Sequence, residues 1–517
     1  MQFLLALPAL LAALNAHTAL AASVIRDYTL DIVNGPVSPD GFTRIGVLAN
    51  GTFPGPVLTA NKGDTLRVLT DGSMRLSTTI DFDGVFIDTD NIYNEGSPFV
   101  TTCPFGPNTS YTYELPLGSL LLQLSAYSQL SVQYADGLRG PVIIYDPEDP
   151  QADLYDVDDE STILTVADWW HNTSTSGLAS YMATQIIPVS DSGLFNGAGR
   201  FQGGPLTPYA AVSVTPRTRY RFRLINMSAR SSFTVSIDNH TLTVIETDGV
   251  ATVPIEVDVI TLHAGQRYSF VLTANQPVAN YWINAILSGG NPSHNANLNA
   301  TLGRGILRYE GAPDAEPTTP ITNGPPDPGP GALAESNLRA PTPDFNLTFL
   351  TFMAVNRTVW EINNVSYIPP HVPTLVKILK DGASTEADFN KSENTFVFPA
   401  NKVIQVTFPP DPTDELHPFH LHGNNFWVVK SNDSDVINTV NPIRRDVSAM
   451  GNGGTILRFT TDKPGPWFFH CHIFYHFAAG LGSVILGGPD QTRQQVHPPS
   501  AWEGLCPAYD ALPPALQ

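Results

Sequence analysis

The stretch PGPWFFHCHIFYHFAAGL, from Pro464 to Leu481, decides the reading of this sequence, together with ELHPFHLHGNNFWVV from Glu415 to Val429. Six of the chain's thirteen histidines lie in these two segments: His417, His420, His422, His470, His472 and His476. A lone buried histidine is usually a hydrogen-bonded core residue. Six in two short runs, with Cys471 among them, form a constellation. On a strand, residues two apart share a face and neighbours oppose. His470 and His472 then point one way and Cys471 the other. His420 and His422 share a face, and His417 has the opposite parity. Pairing the two strands separates two sites. One face offers His417 and Cys471; the other gathers His420, His422, His470 and His472. His476 lies past the strand end, where a loop can fold it back beside Cys471.

Two imidazoles and one thiolate match the ligand set of a type 1 (blue) copper, a trigonal His₂Cys site with a weak or absent axial ligand. Zinc uses the same donors but normally takes a fourth. The residue expected to cap the site is Leu481, which cannot coordinate. A missing axial donor destabilises the oxidised ion and so favours withdrawal of one electron from a donor.

Outward from these segments, short β-rich runs alternate with turn clusters, as in TRIGVLANGTFPGP, RYRFRLINM, FTVSIDNHTLTVIETDG and RYSFVLTANQPVANYWINAI. Their alternation of aromatic or β-branched with polar residues is that of half-buried strands, and no long helical period is seen. Charged residues are only 15% and Gly and Pro are frequent, a composition of sandwiches and barrels. The class is all-β, with three Greek-key β-sandwich domains. An acidic, turn-rich run near residue 150 and a Pro- and Gly-rich run from Gly311 to Asp344 mark the boundaries. Domains are expected at 23–150, 151–315 and 345–517, the last including a C-terminal tail, with a linker at 316–344 and a short helix at ALAESNL within it.

The first residues, MQFLLALPALLAALNAHTALAAS, read as a secretory signal peptide over 1–22, with an apolar run from Phe3 to Leu14 and a small-x-small signal at Ala19-Leu20-Ala21. Eleven Asn-x-Ser/Thr sequons agree with a secreted, extracellular glycoprotein. No later stretch reaches the roughly 18–20 apolar residues that span a bilayer. The net charge of -21 repels nucleic acid and anionic membranes, so neither is an expected partner. Of the three cysteines, Cys471 sits between two histidines, which leaves Cys103 and Cys506 to pair as a disulfide.

HPFHLHG and HCHIFYHFAAGL resemble two of the four copper-binding signatures of multicopper oxidases, and fungal laccases in particular. NGTFPGP, QYADGLRGPVIIYDP, TVADWWH, TPRTRYRFRLIN, NPIRRDV and LCPAYDAL extend the likeness over essentially the whole mature chain. The resemblance implies three cupredoxin-like domains. It implies one-electron oxidation of a donor at a type 1 copper held by His417, Cys471 and His476, and electron transfer to a trinuclear cluster that reduces oxygen to water. It would place His420 at the type 2 copper and His422, His470 and His472 at the type 3 pair.

The sequence departs from that pattern in the first domain. Where the family has His-Trp-His-Gly, this chain reads Asp81-Phe82-Asp83-Gly84; where it has His-Ser-His, the chain reads Tyr127-Ser128-Gln129. A full cluster is therefore expected to be absent, since aspartate is a harder ligand and Tyr127 and Gln129 are weak donors for copper. A residual copper or zinc could sit at His422 and His470 with Gln129, or at His420 or His472 with an aspartate. The competing reading is a metal-free polar core satisfied by the aspartates and water. An interdomain disulfide of the family is missing, Ala135 and Ala229 taking its positions. Arg230 stands where laccases commonly place a donor-pocket acid, and so suits an anionic donor or a protein surface. Glu95 matches a proton-relay aspartate but also reads as a solvated carboxylate.

Three functions follow. The chain is a laccase-like oxidoreductase with about one copper, served by an aromatic or protein electron donor and lacking four-electron oxygen reduction. Alternatively it is a silent copper-binding subunit that forms a heterodimer with an active laccase. In the third reading it is a full laccase with unusual cluster ligands.

Overall fold

The computed structural model describes residues 24–118, 122–319, 339–353, 358–411 and 415–517. The signal peptide and the short helix expected at ALAESNL lie outside the described residues. Strands fall into three groups. The first holds two four-stranded sheets, in the orders 44–49/25–37/65–72/110–116 and 58–61/139–145/122–127/81–83. The second holds a seven-stranded and a five-stranded sheet built from strands between Ile163 and Tyr309. The third holds two five-stranded sheets and a two-stranded ribbon between Phe345 and Gly487. The architecture is that of cupredoxin-like β-sandwiches, and one apolar core cluster runs through all three.

The alternating runs become the strands. Arg219–Asn226 pairs antiparallel with Arg267–Thr273, and Ser232–Ile237 with Asn280–Ser288. Between Ser232–Ile237 and Leu242–Thr247, Asn239 takes the left-handed φ of 62° that a tight reversal demands and asparagine tolerates.

The longest helix among the described residues was not legible. Ser174–Thr184, STSGLASYMAT, carries small and polar residues with no apolar stripe, so it lacks the period that announces a helix. It is started by Thr173, whose hydroxyl accepts from the Ser176 N–H. Gly177 is needed there, because a Cβ would lie 2.6 Å from the Tyr475 hydroxyl oxygen. The helix thereby brings Tyr181 against the histidine-bearing domain.

Buried ion pairs lock the second group to the third. Arg267 grips Asp446 through two hydrogen bonds of 2.6 and 2.8 Å, and Arg445 reaches Asp248 at 2.8 Å. The Cys103–Cys506 disulfide forms and ties the first domain to the tail. The tail also docks without it: Trp502 Nε1 donates to the Thr101 carbonyl, and the Leu516 carbonyl accepts from the Ser77 amide. Among the sequons, Asn226 is buried, and its side-chain amide donates to the Ser231 and Leu262 carbonyls. That nitrogen is not available to a glycan.

Candidate metal centre

Strand His417–Leu421 lies antiparallel to Gly465–Cys471, with Phe419 opposite Cys471 and His420 opposite His470. Opposed residues share a face. His417 and Cys471 therefore emerge on one side, and His420, His422 and His470 on the other.

On the first side, Cys471 Sγ lies 3.8 Å from Nδ1 of both His417 and His476. All three residues are buried. A trigonal ion bonded at about 2.0–2.1 Å to nitrogen and about 2.3 Å to sulfur holds such donors about 3.8 Å apart. The donor set thus fits one shared ion. His476 arrives on a short helix, Phe474–Ala478, rather than on the loop expected from the sequence. Leu481 is placed by the backbone: its carbonyl accepts from the Cys471 N–H and its N–H donates to the His476 carbonyl. Burial pushes the His417 pKa down to about 4, holds His476 well below the usual range and raises the Cys471 thiol. A cation is what would draw the proton from such a thiol.

On the second side, the Nε2 atoms of His422 and His470 approach to 3.0 Å, and Gln129 Nε2 sits 2.9 and 3.0 Å from them. The partners assign the tautomers. His470 Nδ1–H donates to the Cys471 carbonyl and His422 Nδ1–H to Glu95. Both Nε2 lone pairs can then accept the two N–H groups of one amide. Asp83 stands between the other two imidazoles, touching His420 Nε2 and lying 3.1 Å from His472 Nε2. Asp81 is nearer His422, at 3.9 Å. Tyr127 pairs its backbone with Asp81; its side chain is outside the described residues. Burial works against charge on His420, but Asp83 and then Asp446 overcome it and raise its pKa to about 9. Asp83 is held well below the carboxylate range: burial opposes this, and His420 and His472 outweigh it. The second domain closes this side. Gly265, at φ +81°, lies so close that a Cβ would fall 2.5 Å from the His472 ring.

Glu95 differs from a solvated carboxylate. It is buried, contacts His422, and accepts hydrogen bonds from the Ser97 amide and the Thr101 hydroxyl. Ser97 also donates toward Gln129 Oε1 at 3.0 Å, joining Glu95 to the histidine pair.

A cavity of about 910 Å³ opens against the first side, lined among others by Tyr181, Arg230, Trp360, Glu415, His417 and His476. The Trp360 ring packs 4.7 Å from His417 and 4.5 Å from His476, and its indole N–H donates to the Tyr181 hydroxyl at 2.8 Å. Arg230 is in the pocket, but it is not the free cation expected from the sequence. Its guanidinium binds both oxygens of Glu415, at 2.8 and 3.1 Å, and donates to the Ile187 and Pro188 carbonyls. Glu415, Trp360 and Tyr181 were missed by sequence reasoning. Glu415 had a signal, standing two residues before His417; Trp360 and Tyr181 come from distant segments and had none.

Family models described as Multicopper oxidase match residues 31–149, 160–312 and 367–491. Laccase-2 of Agaricus bisporus is 44% identical over 531 residues, covering 97% of this chain and 99% of its own. Laccase-like protein claX of Ampulloclitocybe clavipes is 48% identical, covering 77% of this chain and all of its own. The crystal structure of laccase from Botrytis aclada superposes with a TM-score of 0.84 at 29% identity, over 96% of this chain and 94% of that one.

Proposed function

Since this chain belongs to the fungal-laccase-like multicopper oxidases, with three cupredoxin domains, we propose that it is a secreted type 1 copper protein that takes single electrons from an aromatic donor and has lost four-electron oxygen reduction. Copper held by His417, Cys471 and His476 would supply a one-electron acceptor. The chain's own residues do the rest. Trp360 and Tyr181 wall the donor's approach, and burial excludes water from Cys471. The His417 and His476 rings line the pocket and lie 3.8 Å from that sulfur, which puts them between the donor and Cys471.

One observation carries the loss of oxygen reduction. On the second side Gln129 and Asp83 already occupy the imidazole donors, two each, where a cluster would need those nitrogens for metal. A second ion, copper or zinc, would break the Gln129 bridge, enter at Asp83, or sit among Asp81, Glu95 and His422, whose donor atoms lie within 4.8 Å of one another. Metal analysis of protein matured with copper tests the reading: about one copper per chain and an intense blue band without the near-ultraviolet shoulder of a coupled pair are expected. Three or four coppers per chain, with oxygen consumed at a laccase-like rate, would overturn it.

The same closed hydrogen-bond network favours a second reading, a catalytically silent subunit pairing with an active laccase. A stable heterodimer recovered from the culture medium supports that reading; a protein that isolates alone rejects it.

A further inference from the structure

We propose that Asn432 carries an N-linked glycan whose first N-acetylglucosamine seats in a cleft between the second and third domains. The inference rests on the secreted reading above. Asn432-Asp433-Ser434 is one of the eleven acceptor sequons. It lies in a turn, and Asn432 is half-buried. Its side-chain oxygen accepts from the Gly453 N–H at 2.9 Å, which fixes the amide plane. The side-chain nitrogen has no hydrogen-bond partner among the described residues. Glycosylation replaces one proton on that nitrogen and leaves the bond to the oxygen in place. Other sequons differ. The side-chain nitrogen of Asn50 donates to the Thr29 carbonyl, that of Asn299 to Gln202, that of Asn390 to Glu393, and that of Asn226 to two carbonyls. The modification is a group transfer from a lipid-pyrophosphate-linked oligosaccharide. The bond from sugar C1 to the pyrophosphate oxygen breaks and a bond from C1 to Asn432 Nδ2 forms. That nitrogen loses one proton, and the lipid pyrophosphate leaves.

Asn432 also lines a cleft of about 230 Å³. Thr261 and Tyr268 line it from the second domain, and Leu416, Ser448 and Ala449 from the third. Attachment specifies the occupant, since a group bonded to Asn432 starts at the wall of this cleft. A cavity of about 150 Å³ accommodates benzene, so this one has room for a single substituted six-membered ring and not for two. Its lining combines hydroxyls with apolar surface. An acetamido sugar presents the same mixture: hydroxyls and an amide beside an apolar ring face and a methyl group. The tether holds the sugar at an effective concentration of about millimolar, so individually weak contacts suffice to seat it. His263 and Leu416 line both this cleft and the donor pocket. The seated sugar therefore backs one wall of the donor pocket.

The test secretes the full chain from a yeast host and treats it, folded, with an endoglycosidase that cuts between the first two sugars. Glycopeptide mass spectrometry then follows each sequon. A glycan at Asn432 is expected. It should be trimmed at least about tenfold more slowly than glycans at the other modified sequons, because the seated sugar holds the cleavage point against the protein. Denaturation should abolish the difference. Ala449→Trp and Thr261→Trp fill the cleft from opposite domains, and each should bring trimming at Asn432 to the rate seen elsewhere. Asn432 found bare while other sequons are modified overturns the proposal and leaves the secreted reading standing; a chain bare at every sequon overturns both. Trimming at Asn432 as fast as elsewhere, or resistance unchanged in both tryptophan variants, also overturns the proposal.

Discussion

Arg230 and Glu415 face each other across the donor pocket as a two-pronged ion pair, guanidinium to carboxylate at 2.8 and 3.1 Å. The pair joins the second domain to the residue two before His417. Arg230→Ala strands a half-buried carboxylate, and Glu415→Ala strands a buried guanidinium. Each single variant should lower the thermal midpoint, and the double variant should cost less than their sum, by about 1–2 kcal/mol. Strict additivity in a double-mutant cycle would show that the two charges are independent.

Asp83 is the shared counter-charge of two imidazoles, and its removal should be felt at a particular pH. His420 is raised to about 9 from an ordinary 6.5, so its contribution is full below 6.5 and is lost as pH rises through 9. Asp83 is depressed, so its contribution is present above about 3.8 and lost as pH falls. Asp83→Ala should therefore be destabilised by about 3 kcal/mol around pH 5–7, with a smaller deficit above pH 9. Thermal midpoints of variant and parent across pH 4–10 measure this.

Cys471 and His470 are chain neighbours on opposite faces. Cys471→Ser in the copper-matured protein should abolish the blue absorption, because the thiolate supplies it. His470→Ala should retain it, since that ring points to Gln129 and His422. Bleaching of the colour in His470→Ala would show that the two faces are not separable.

His263, in the wall of the donor pocket, is kept neutral: burial first, and Arg445 second, lower its pKa to about 4. The unfolded chain takes up this proton at about 6.5 and the folded chain only near 4, so stability is lost as pH falls from 6.5 to 4. His263→Phe removes that loss. Its midpoint should fall less steeply over this window than the parent's, by about 1–3 kcal/mol at the acid end. Parallel midpoint curves would rule out His263 as the titrating group.

Much of the site could be read from local spacing. The two-residue period of a strand separates Cys471 from His470 and His472, and His417 from His420 and His422, whatever the rest of the chain does. The repeated alternation in runs such as RYRFRLIN likewise specifies strands, since it matches one buried and one exposed face. The helix Ser174–Thr184 could not be read this way, because its small residues carry no apolar period and its place is set by contact with Tyr475.

The sequence by itself determined which residue types stand at each position: a thiolate and imidazoles in two short runs, and carboxylates and an amide at Asp81, Asp83 and Gln129. Only the tertiary structure decided what those residues do. Arg230 reads as a free cation until the fold brings Glu415, 185 positions away, within hydrogen-bonding reach. Glu95 reads either as a match to a proton-relay acid or as a solvated carboxylate, and burial and His422 exclude the solvated reading. Asp83 becomes the partner of His420 and His472, while Asp81 is left nearer His422. The physical reason is range. Strand parity is fixed by backbone geometry over a few residues, whereas the charge state and partner of a buried polar group depend on whatever distant segment is packed against it.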